Sequence, residues 1–169
     1  MLGPRSKVLY VGTDHCVTLY RNLMLMVVQE DPLPSLVQLL PGFVRCLQRQ
    51  ASGPLGFVVV LQPDNPPPKQ PARATIKRAF HIFSESMSFG AFAVEKTGFA
   101  AAAQRSALNV IMMAARSPFP MKVFGAVDEA SRWISGKQAA DERMTATELS
   151  TTLEEIRAEY HAGTLRETR

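Results

Sequence analysis

The sequence has few of the residues that build metal sites. Its 169 residues include only two cysteines, Cys16 and Cys46, which are thirty positions apart and form no CxxC pair. His15 adjoins Cys16, but neighbouring side chains on a strand point to opposite faces and cannot share one ion. A zinc site is therefore not expected, and both thiols are interpreted as free and buried.

Long hydrophobic runs are also missing. Runs such as residues 23–28 are far shorter than the roughly 20 residues that cross a bilayer, so no membrane span is predicted. Residues 1–7 carry two positive charges, but Gly12, Asp14 and His15 interrupt the apolar stretch that follows. Because this pattern lacks the core of a signal peptide, we predict a cytoplasmic location.

The usual catalytic and phosphate-binding motifs are absent as well. The sequence contains no dinucleotide fingerprint, Walker loop, nucleophile elbow or metalloprotease helix. His81 and Glu85 are four residues apart and are interpreted as a hydrogen-bonded pair on a helix surface, and Glu95 as part of a turn. The sequence thus predicts no catalytic residue, no metal ligand and no cofactor, and the protein is not expected to be an enzyme.

The net charge of +4 raises the question of nucleic acid. Phe80 and Phe83 fall at helical spacing with Ile76, so they are predicted to lie in the core and not to stack on bases. We therefore expect a solvated helix face and no nucleic-acid binding. The basic residues concerned are Lys69, Arg73, Lys77 and Arg78.

What the chain does contain is a regular alternation of strand and helix patterns. Residues 7–29 predict two antiparallel strands, or three short ones if Arg21 and Asn22 form a hairpin turn. Residues 56–61 are continuously apolar and predict a central strand buried on both faces. The later elements are predicted as helices over residues 35–47, 72–88, 98–116 and 127–136, and as strands over residues 89–94 and 121–124.

For two of these helices the sequence predicts a specific feature, a kink in one and the inward face of the other. Pro41 lies inside the first helix and is expected to cause a kink or a restart near Leu40. The helix over residues 98–116 is predicted to pack on the sheet through a face built largely of small residues. That predicted inward face consists of Phe99, Ala103, Ala107, Val110, Ile111 and Ala114.

The element order, two strands followed by three helix–strand pairs and a final helix, resembles the STAS fold. Residues 123–134 look like the closing strand and helix of its SpoIIAA-like group. The resemblance covers residues 7–137 and implies an α/β domain with a STAS-like mixed sheet of four to six strands and about four helices. The closing pattern, Phe-x-x-x-x-Glu-Ala-x-x-Trp, is formed by Phe124, Glu129, Ala130 and Trp133.

The resemblance also implies a regulatory role, with one departure. In partner-switching members of the family, a serine just after the central strand is phosphorylated to release a partner. The matching stretch here, residues 64–68, has no serine or threonine, and the first hydroxyl residue is Thr75. Because a phosphate switch needs an acceptor hydroxyl, the chain is predicted to be an interaction module without the usual serine switch.

Residues 138–169 differ in composition from the domain over residues 1–137 and predict a charged linker followed by an amphipathic helical tail. Thr145 and Thr151 are each followed three residues later by glutamate, so either can begin the helix with a capping box. The tail helix must pack on something to be stable. Two alternatives stay open: docking on its own domain, or dimerisation or capture by a partner. The helix has a heptad-like apolar stripe: Leu149, Leu153, Ile156 and Tyr160.

The predicted function is a non-enzymatic protein-interaction or regulatory module that binds a protein partner or associates with itself. The alternative is a carrier or sensor of a small apolar ligand or lipid, held between helix 98–116 and the sheet. Its expected lining is Met24, Met26, Met112 and Met113. The predicted contact surface of the interaction module is Asp64, Asn65, Lys69, Arg73, Lys77, Leu149, Leu153, Ile156 and Tyr160.

Overall fold

The structure, a computed structural model, describes residues 6–30, 34–63, 69–95 and 97–168. Its centre is a six-stranded mixed sheet whose strands lie side by side in chain order, so the predicted α/β class is confirmed. The strands are β1 (Ser6–Val11), β2 (His15–Tyr20), β3 (Leu23–Val28), β4 (Leu55–Leu61), β5 (Met87–Val94) and β6 (Met121–Phe124). The helices are α1 (Pro34–Gln50), α2 (Gln70–Ser84), α3 (Gly98–Ala115), α4 (Val127–Ser135) and α5 (Ala146–His161).

The sheet combines an antiparallel meander of β1, β2 and β3 with a parallel half from β3 to β6. Arg21 and Asn22 form the tight turn between β2 and β3, so the opening segment has three strands and not two. Arg21 has a φ of 53°, the left-handed conformation that short hairpin turns use. Asn22 is buried and donates to the Pro54 carbonyl at 2.7 Å, which ties this turn to the start of β4.

Helices cover both faces of the sheet. The helices α1, α2 and α3 each connect one parallel strand to the next, and the three connections proceed across the sheet in the same direction. Because such connections are right-handed, the three helices lie on the same face of the sheet. Their apolar side chains form a first hydrophobic cluster with one set of strand residues, and α4 and α5 form a second cluster with the alternate set. In β4, Val59 belongs to the first cluster, and Val58 and Val60 belong to the second. The protein therefore has three layers.

Some predicted element boundaries differ from the observed ones. The first helix runs over Pro34–Gln50 without a break, so the restart predicted near Leu40 is not found and Pro41 lies inside a continuous helix. α2 ends at Ser84, and β5 begins at Met87, two residues earlier than predicted. Met87 is buried and pairs with Leu55 of β4, and this pairing extends the strand.

The predicted tail is part of the same domain. Thr145 precedes α5, and its Oγ1 accepts from the Glu148 amide at 3.0 Å, so the helix begins at the first of the two predicted positions. The Glu148 carboxylate does not complete a capping box but accepts from Tyr20 and Arg21. Leu149, Leu153 and Ile156 are at most 1% exposed and belong to the second hydrophobic cluster. Of the two alternatives that the sequence left open, docking on its own domain is the one found.

Polar contacts also hold α5 in place. Glu95, which follows β5, pairs with Arg157 of α5 and accepts from the Val127 amide at 3.3 Å, where α4 begins. A carboxylate at this position is stabilised by the positive end of the α4 dipole. Arg21 pairs with Glu148 near the start of α5 at 2.9 Å. Glu95 therefore joins α4 and α5.

Candidate functional site

The outer face of α3 exposes large apolar side chains. Phe99, Val110 and Met113 are 91%, 60% and 78% exposed, and Leu39 of α1 is the fourth exposed large apolar residue in the described ranges. Arg105 is the one charged residue among the 18 of this helix. Single exposed apolar residues are normal on a soluble protein, and three of them on one helix make its outer face a candidate interaction surface.

Five residues on the outward side of α3, four of them exposed and Ala103 half-buried, have the spacing of a helix–helix contact. Successive steps along them are four, three, four and three residues, the a/d spacing at which one helix packs on another. At about 1.5 Å per residue the row is roughly 21 Å long. We call this row the α3 seam: Phe99, Ala103, Ser106, Val110 and Met113.

The inward face of α3 differs from the prediction. Phe99 and Val110 were expected to pack on the sheet and instead lie in solvent. Of the six predicted inward residues, Ile111 alone is buried. The helix is apolar on nearly every side, so the period of its apolar residues does not select one face. The residues that do pack inward are Ala101, Gln104, Leu108 and Ile111.

A cationic groove lies between α2 and the carboxyl end of α3. Its volume is about 550 Å³, and no carboxylate lines it among the described residues. Lys77, Arg78 and Arg116 take part in none of the ion pairs found in the described ranges. Arg116 has a φ of 48°, a left-handed conformation that ends the helix. We call four of the lining residues the basic groove: Lys77, Arg78, His81 and Arg116.

The sheet separates the two parts of the predicted contact surface. Lys69, Arg73 and Lys77 are exposed at and after the start of α2, whereas Asp64 and Asn65 lie outside the described residues. The predicted stripe of the tail lies on the opposite face of the sheet and is buried there. The structure therefore does not bring the two parts together, and the stripe is not open to a partner. Its residues are Leu149, Leu153, Ile156 and Tyr160.

His15 is buried near the turn that joins β1 and β2. Its Nδ1 lies 3.0 Å from Asp14 Oδ2, and its ring stacks on Tyr10 with the centroids 4.6 Å apart. Neither ring nitrogen makes a hydrogen bond within the described part of the chain. No hydroxyl or thiol is hydrogen-bonded to the ring in the described residues.

His161 joins the end of α5 to the ends of β3 and β4. Its ring nitrogens lie 2.9 Å from Gln29 Nε2 and 3.1 Å from Gln62 Oε1. The preceding Tyr160 donates to the Gly12 carbonyl at 2.9 Å, and burial raises the pKa of its phenol. These contacts connect three chain segments, so this polar group has a structural role.

Neither a cluster of metal ligands nor a membrane-spanning helix is found in the described ranges. No group of three or more histidine, cysteine, aspartate or glutamate side chains there could hold a metal ion. His81 and Glu85 are not hydrogen-bonded to each other, and the His81 carbonyl accepts instead from Ser84 Oγ at 2.7 Å. Among the described helices, none combines the length and the apolar character needed to cross a membrane.

A small apolar cavity lies between the sheet and helices α1 and α2. Its volume is about 70 Å³, about half that of an engineered cavity of roughly 150 Å³ that binds benzene. Its polar lining residue, Thr75, donates its hydroxyl to the Pro71 carbonyl at 3.1 Å. Of the four methionines predicted to line a ligand site, Met26 alone lines this cavity, and Met113 is exposed.

In comparisons with known proteins, no family model, no curated protein and no solved structure matches this chain. The geometry defines a three-layer α/β domain with a six-stranded mixed sheet. Its function therefore has to be inferred from three features of its own: the α3 seam, the basic groove and the apolar cavity.

Proposed function

We propose that this chain is a non-enzymatic protein-interaction module of the STAS-like type, without the serine switch, and that its contact surface is the α3 seam. The observation that carries the proposal is the exposure of Phe99, Val110 and Met113 on a helix with one charged residue. Burying a large apolar side chain contributes about 1.5–3 kcal/mol. Covering all three therefore favours association and offsets part of the free energy that binding costs.

The geometry of the seam favours a helical partner. Its alternating spacing of four and three residues matches the knobs-into-holes packing of one helix on another. Ala103 and Ser106, between the large residues, are small and leave room for the side chains of a second helix. A helix that lies along a surface row of this kind is a common mode of peptide recognition.

Photocrosslinking in the cells that naturally contain the protein tests this proposal. A photoreactive benzoylphenylalanine is placed at Val110 or at Met113, and, as a matched control, at Ala158, which is exposed on α5 on the opposite face of the sheet. We expect one defined protein adduct from the two α3 positions and none from Ala158. Phe99→Asp in the same chains should abolish the adduct, because it places a charge in the seam.

Two results would contradict the proposal. One is a set of adducts from Ala158 that equals the set from Val110 and Met113. The other is the absence of any adduct at the α3 positions, with circular dichroism showing that the labelled proteins remain folded.

A carrier or sensor of a small apolar ligand is the second candidate. The observation that favours it is the cavity of about 70 Å³, whose one polar lining group already has a hydrogen-bond partner. Such a cavity stays free of water and takes up small apolar molecules. Its volume admits a molecule of a few carbon atoms or the end of the hydrocarbon chain of a lipid.

Native mass spectrometry tests the second candidate. The freshly purified protein should carry an added mass that is lost in Ala79→Leu, since Ala79 lines the cavity, and is kept in the control Ala158→Leu. An apo mass alone in all three proteins would reject a resident ligand.

A further inference from the structure

The charge around the α3 seam is predominantly positive. The described part of residues 69–122 contains seven lysines and arginines and two carboxylates, a net charge of +5. One of the carboxylates, Glu95, is already paired with Arg157, and the other, Glu85, follows α2. The net charge of the whole chain is +4, so this region holds an excess of positive charge that the rest of the molecule does not share.

The basic groove adjoins one end of the seam. Met113 is the last residue of the seam, and Arg116, three residues further, lines the groove together with Ala115. Lys77, Arg78 and His81 enter it from α2. A ligand that lies along α3 therefore meets apolar side chains over most of its length and cationic groups at its end.

A second copy of this chain does not offer a surface complementary to the α3 seam and the basic groove. A symmetric contact places the same patch on itself, and α3 contains no carboxylate to face the groove of the other copy. The α4–α5 side is acidic, with nine carboxylates against five lysines and arginines over residues 127–168. However, the exposed large apolar residues of the described ranges all lie on α1 and α3, so that side has no apolar row to cover the seam.

The shape of the surface favours a protein over a bilayer or a nucleic acid. The cations line an open groove at one end of the apolar row and do not border the row along its length, as they would on a helix that lies in a bilayer interface. Along α3 itself Arg105 is the one charge, too few for the row of phosphate contacts that nucleic-acid affinity requires.

From these observations we infer that the partner is an amphipathic helix of another protein that lays apolar side chains on the α3 seam and places aspartate or glutamate side chains in the basic groove. The inference rests on the proposed interaction function and adds the chemistry of the partner. Complementary charge would orient the helix, since its acidic end must lie beside the carboxyl end of α3.

Binding to defined probes tests the inference, with the full-length protein and isothermal titration calorimetry. The first probe is a synthetic amphipathic helical peptide with leucines at alternating spacings of four and three residues and glutamates clustered at one end. The second is the same peptide with glutamine in place of glutamate. The others are a DNA duplex and vesicles of phosphatidylcholine mixed with phosphatidylglycerol.

We expect the glutamate peptide to bind, and its Kd to rise roughly tenfold or more in the double variant Lys77→Glu/Arg78→Glu. The matched control is Arg45→Glu on α1, which is also exposed but lies outside the groove, and it should leave the Kd within about twofold. Equal affinity for the glutamate and glutamine peptides would overturn the inference, as would tighter binding to the duplex or the vesicles.

A seam variant separates this inference from the proposed function. If Val110→Asp abolishes peptide binding and Lys77→Glu/Arg78→Glu does not alter it, the seam binds a helix and the acidic partner is rejected. If neither variant alters it, or the glutamate peptide does not bind at all, the acidic partner is rejected, and photocrosslinking alone then decides the proposed function.

Discussion

Two reciprocal glycine–phenylalanine pairs join β4 and β5. Gly56 lies opposite Phe89, and Phe57 lies opposite Gly90. A Cβ atom added at Gly56 would lie 2.0 Å from the Phe89 ring, and one added at Gly90 would lie 2.2 Å from the Phe57 ring. Each ring thus covers the backbone of the facing glycine, an arrangement that pins the register of two strands.

We expect Gly90→Ala to destabilise the protein by about 1–3 kcal/mol, the usual effect of overpacking a core. The Phe57 ring cannot move aside easily, because it stacks on Phe83 with the centroids 4.6 Å apart. Urea unfolding followed by the fluorescence of Trp133 measures the change.

Gly42→Ala is the matched control for this prediction. Gly42 lies inside α1, and a Cβ there would meet nothing within 4 Å. Alanine is a better helix former than glycine, so this variant should gain about 0.5–1 kcal/mol. Equal effects of the two substitutions would show that the rings do not cover the glycines.

Cys16 differs from Cys46 in its surroundings. Cys16 is 0% exposed, as the sequence predicts for both thiols, whereas Cys46 is only half-buried. Burial raises the pKa of the Cys16 thiol to about 12 from its ordinary value of 9.0, because the thiolate would lose its hydration. The thiol therefore stays protonated in the folded protein over a range in which the unfolded chain ionises.

The raised pKa of Cys16 predicts a loss of stability at alkaline pH. Below pH 9 both states hold the proton and the contribution is constant. Between pH 9 and pH 12 the unfolded chain releases a proton that the folded protein keeps, so the free energy of unfolding falls by up to about 1.4 kcal/mol per pH unit.

Urea unfolding at several pH values between 8 and 10 measures this loss. Between pH 8 and pH 10 the free energy of unfolding should fall by about 1 kcal/mol less in Cys16→Val than in the unsubstituted protein, because valine fills the site without a titrating group. Tyr160, whose pKa is raised by burial and next by the nearby Cys16, is replaced in a second pair of proteins, Tyr160→Phe with and without Cys16→Val, so that its own titration is removed from the comparison. Parallel curves for the two proteins would contradict the assignment to Cys16.

At the scale of the elements, α4 alone is too short to cover its face of the sheet, and α5 covers the rest. α4 has nine residues and spans about 13 Å, whereas six strands at roughly 4.8 Å extend over about 24 Å. Leu25, Val58 and Val60 belong to the same hydrophobic cluster as the apolar stripe of α5, so they would lose part of their cover without this helix. The apolar stripe of α5 covers this half of the sheet.

We expect Ile156→Ala to lower the free energy of unfolding by about 2–5 kcal/mol, because Ile156 is 0% exposed and a cavity would remain. Thr151→Ala, on the exposed side of the same helix, is the control and should change it by less than about 0.5 kcal/mol. Circular dichroism and Trp133 fluorescence should report one transition. A separate early loss of helix in Ile156→Ala would mean that α5 is not part of the cooperative core.

The helices α5 and α3 differ in how well the sequence pattern predicts the face that is buried. In α5 the charged residues occupy the side opposite to Leu149 and Ile156, so the pattern selects the buried face. In α3 polar residues are too few to do this, and Phe99 was assigned to the wrong side. Local residue patterns are enough to predict the order of strands and helices. The inward face of a helix that is apolar on all sides depends instead on the elements that pack against it.

For the molecule as a whole, the candidate site lies beyond what the sequence alone could predict. Arg116 is 35 residues from His81, and only the packing of α2 beside α3 places both in one groove. The sequence predicts Lys77 as a contact residue, and this stays a prediction. It joined this residue to the tail, however, because no pattern reveals that the sheet lies between them.

The C-terminal segment covers one edge of the whole sheet. Thr168 donates its amide to the Val8 carbonyl at 2.9 Å and accepts from the Val8 amide through Oγ1 at 3.0 Å. Glu167 Oε1 accepts from the Val11 amide at 3.3 Å, and Leu165 is 1% exposed. The segment thus satisfies backbone groups of β1 that an open edge strand would offer to another chain.

Deleting residues 164–169 should therefore cause self-association through β1. Sedimentation velocity should show dimers or larger species that increase with concentration, while the unsubstituted protein gives a smaller species at the same concentration. Thr168→Pro tests the same edge without removing Leu165, because proline lacks both the amide donor and the hydroxyl, and it should shift the distribution in the same direction but less far. Arg166→Ala, which leaves the Val8 contacts intact, should not shift it. If the truncated protein keeps its circular dichroism spectrum and sediments like the full chain, the segment does not protect the edge, and the side chains of β1 itself must prevent pairing.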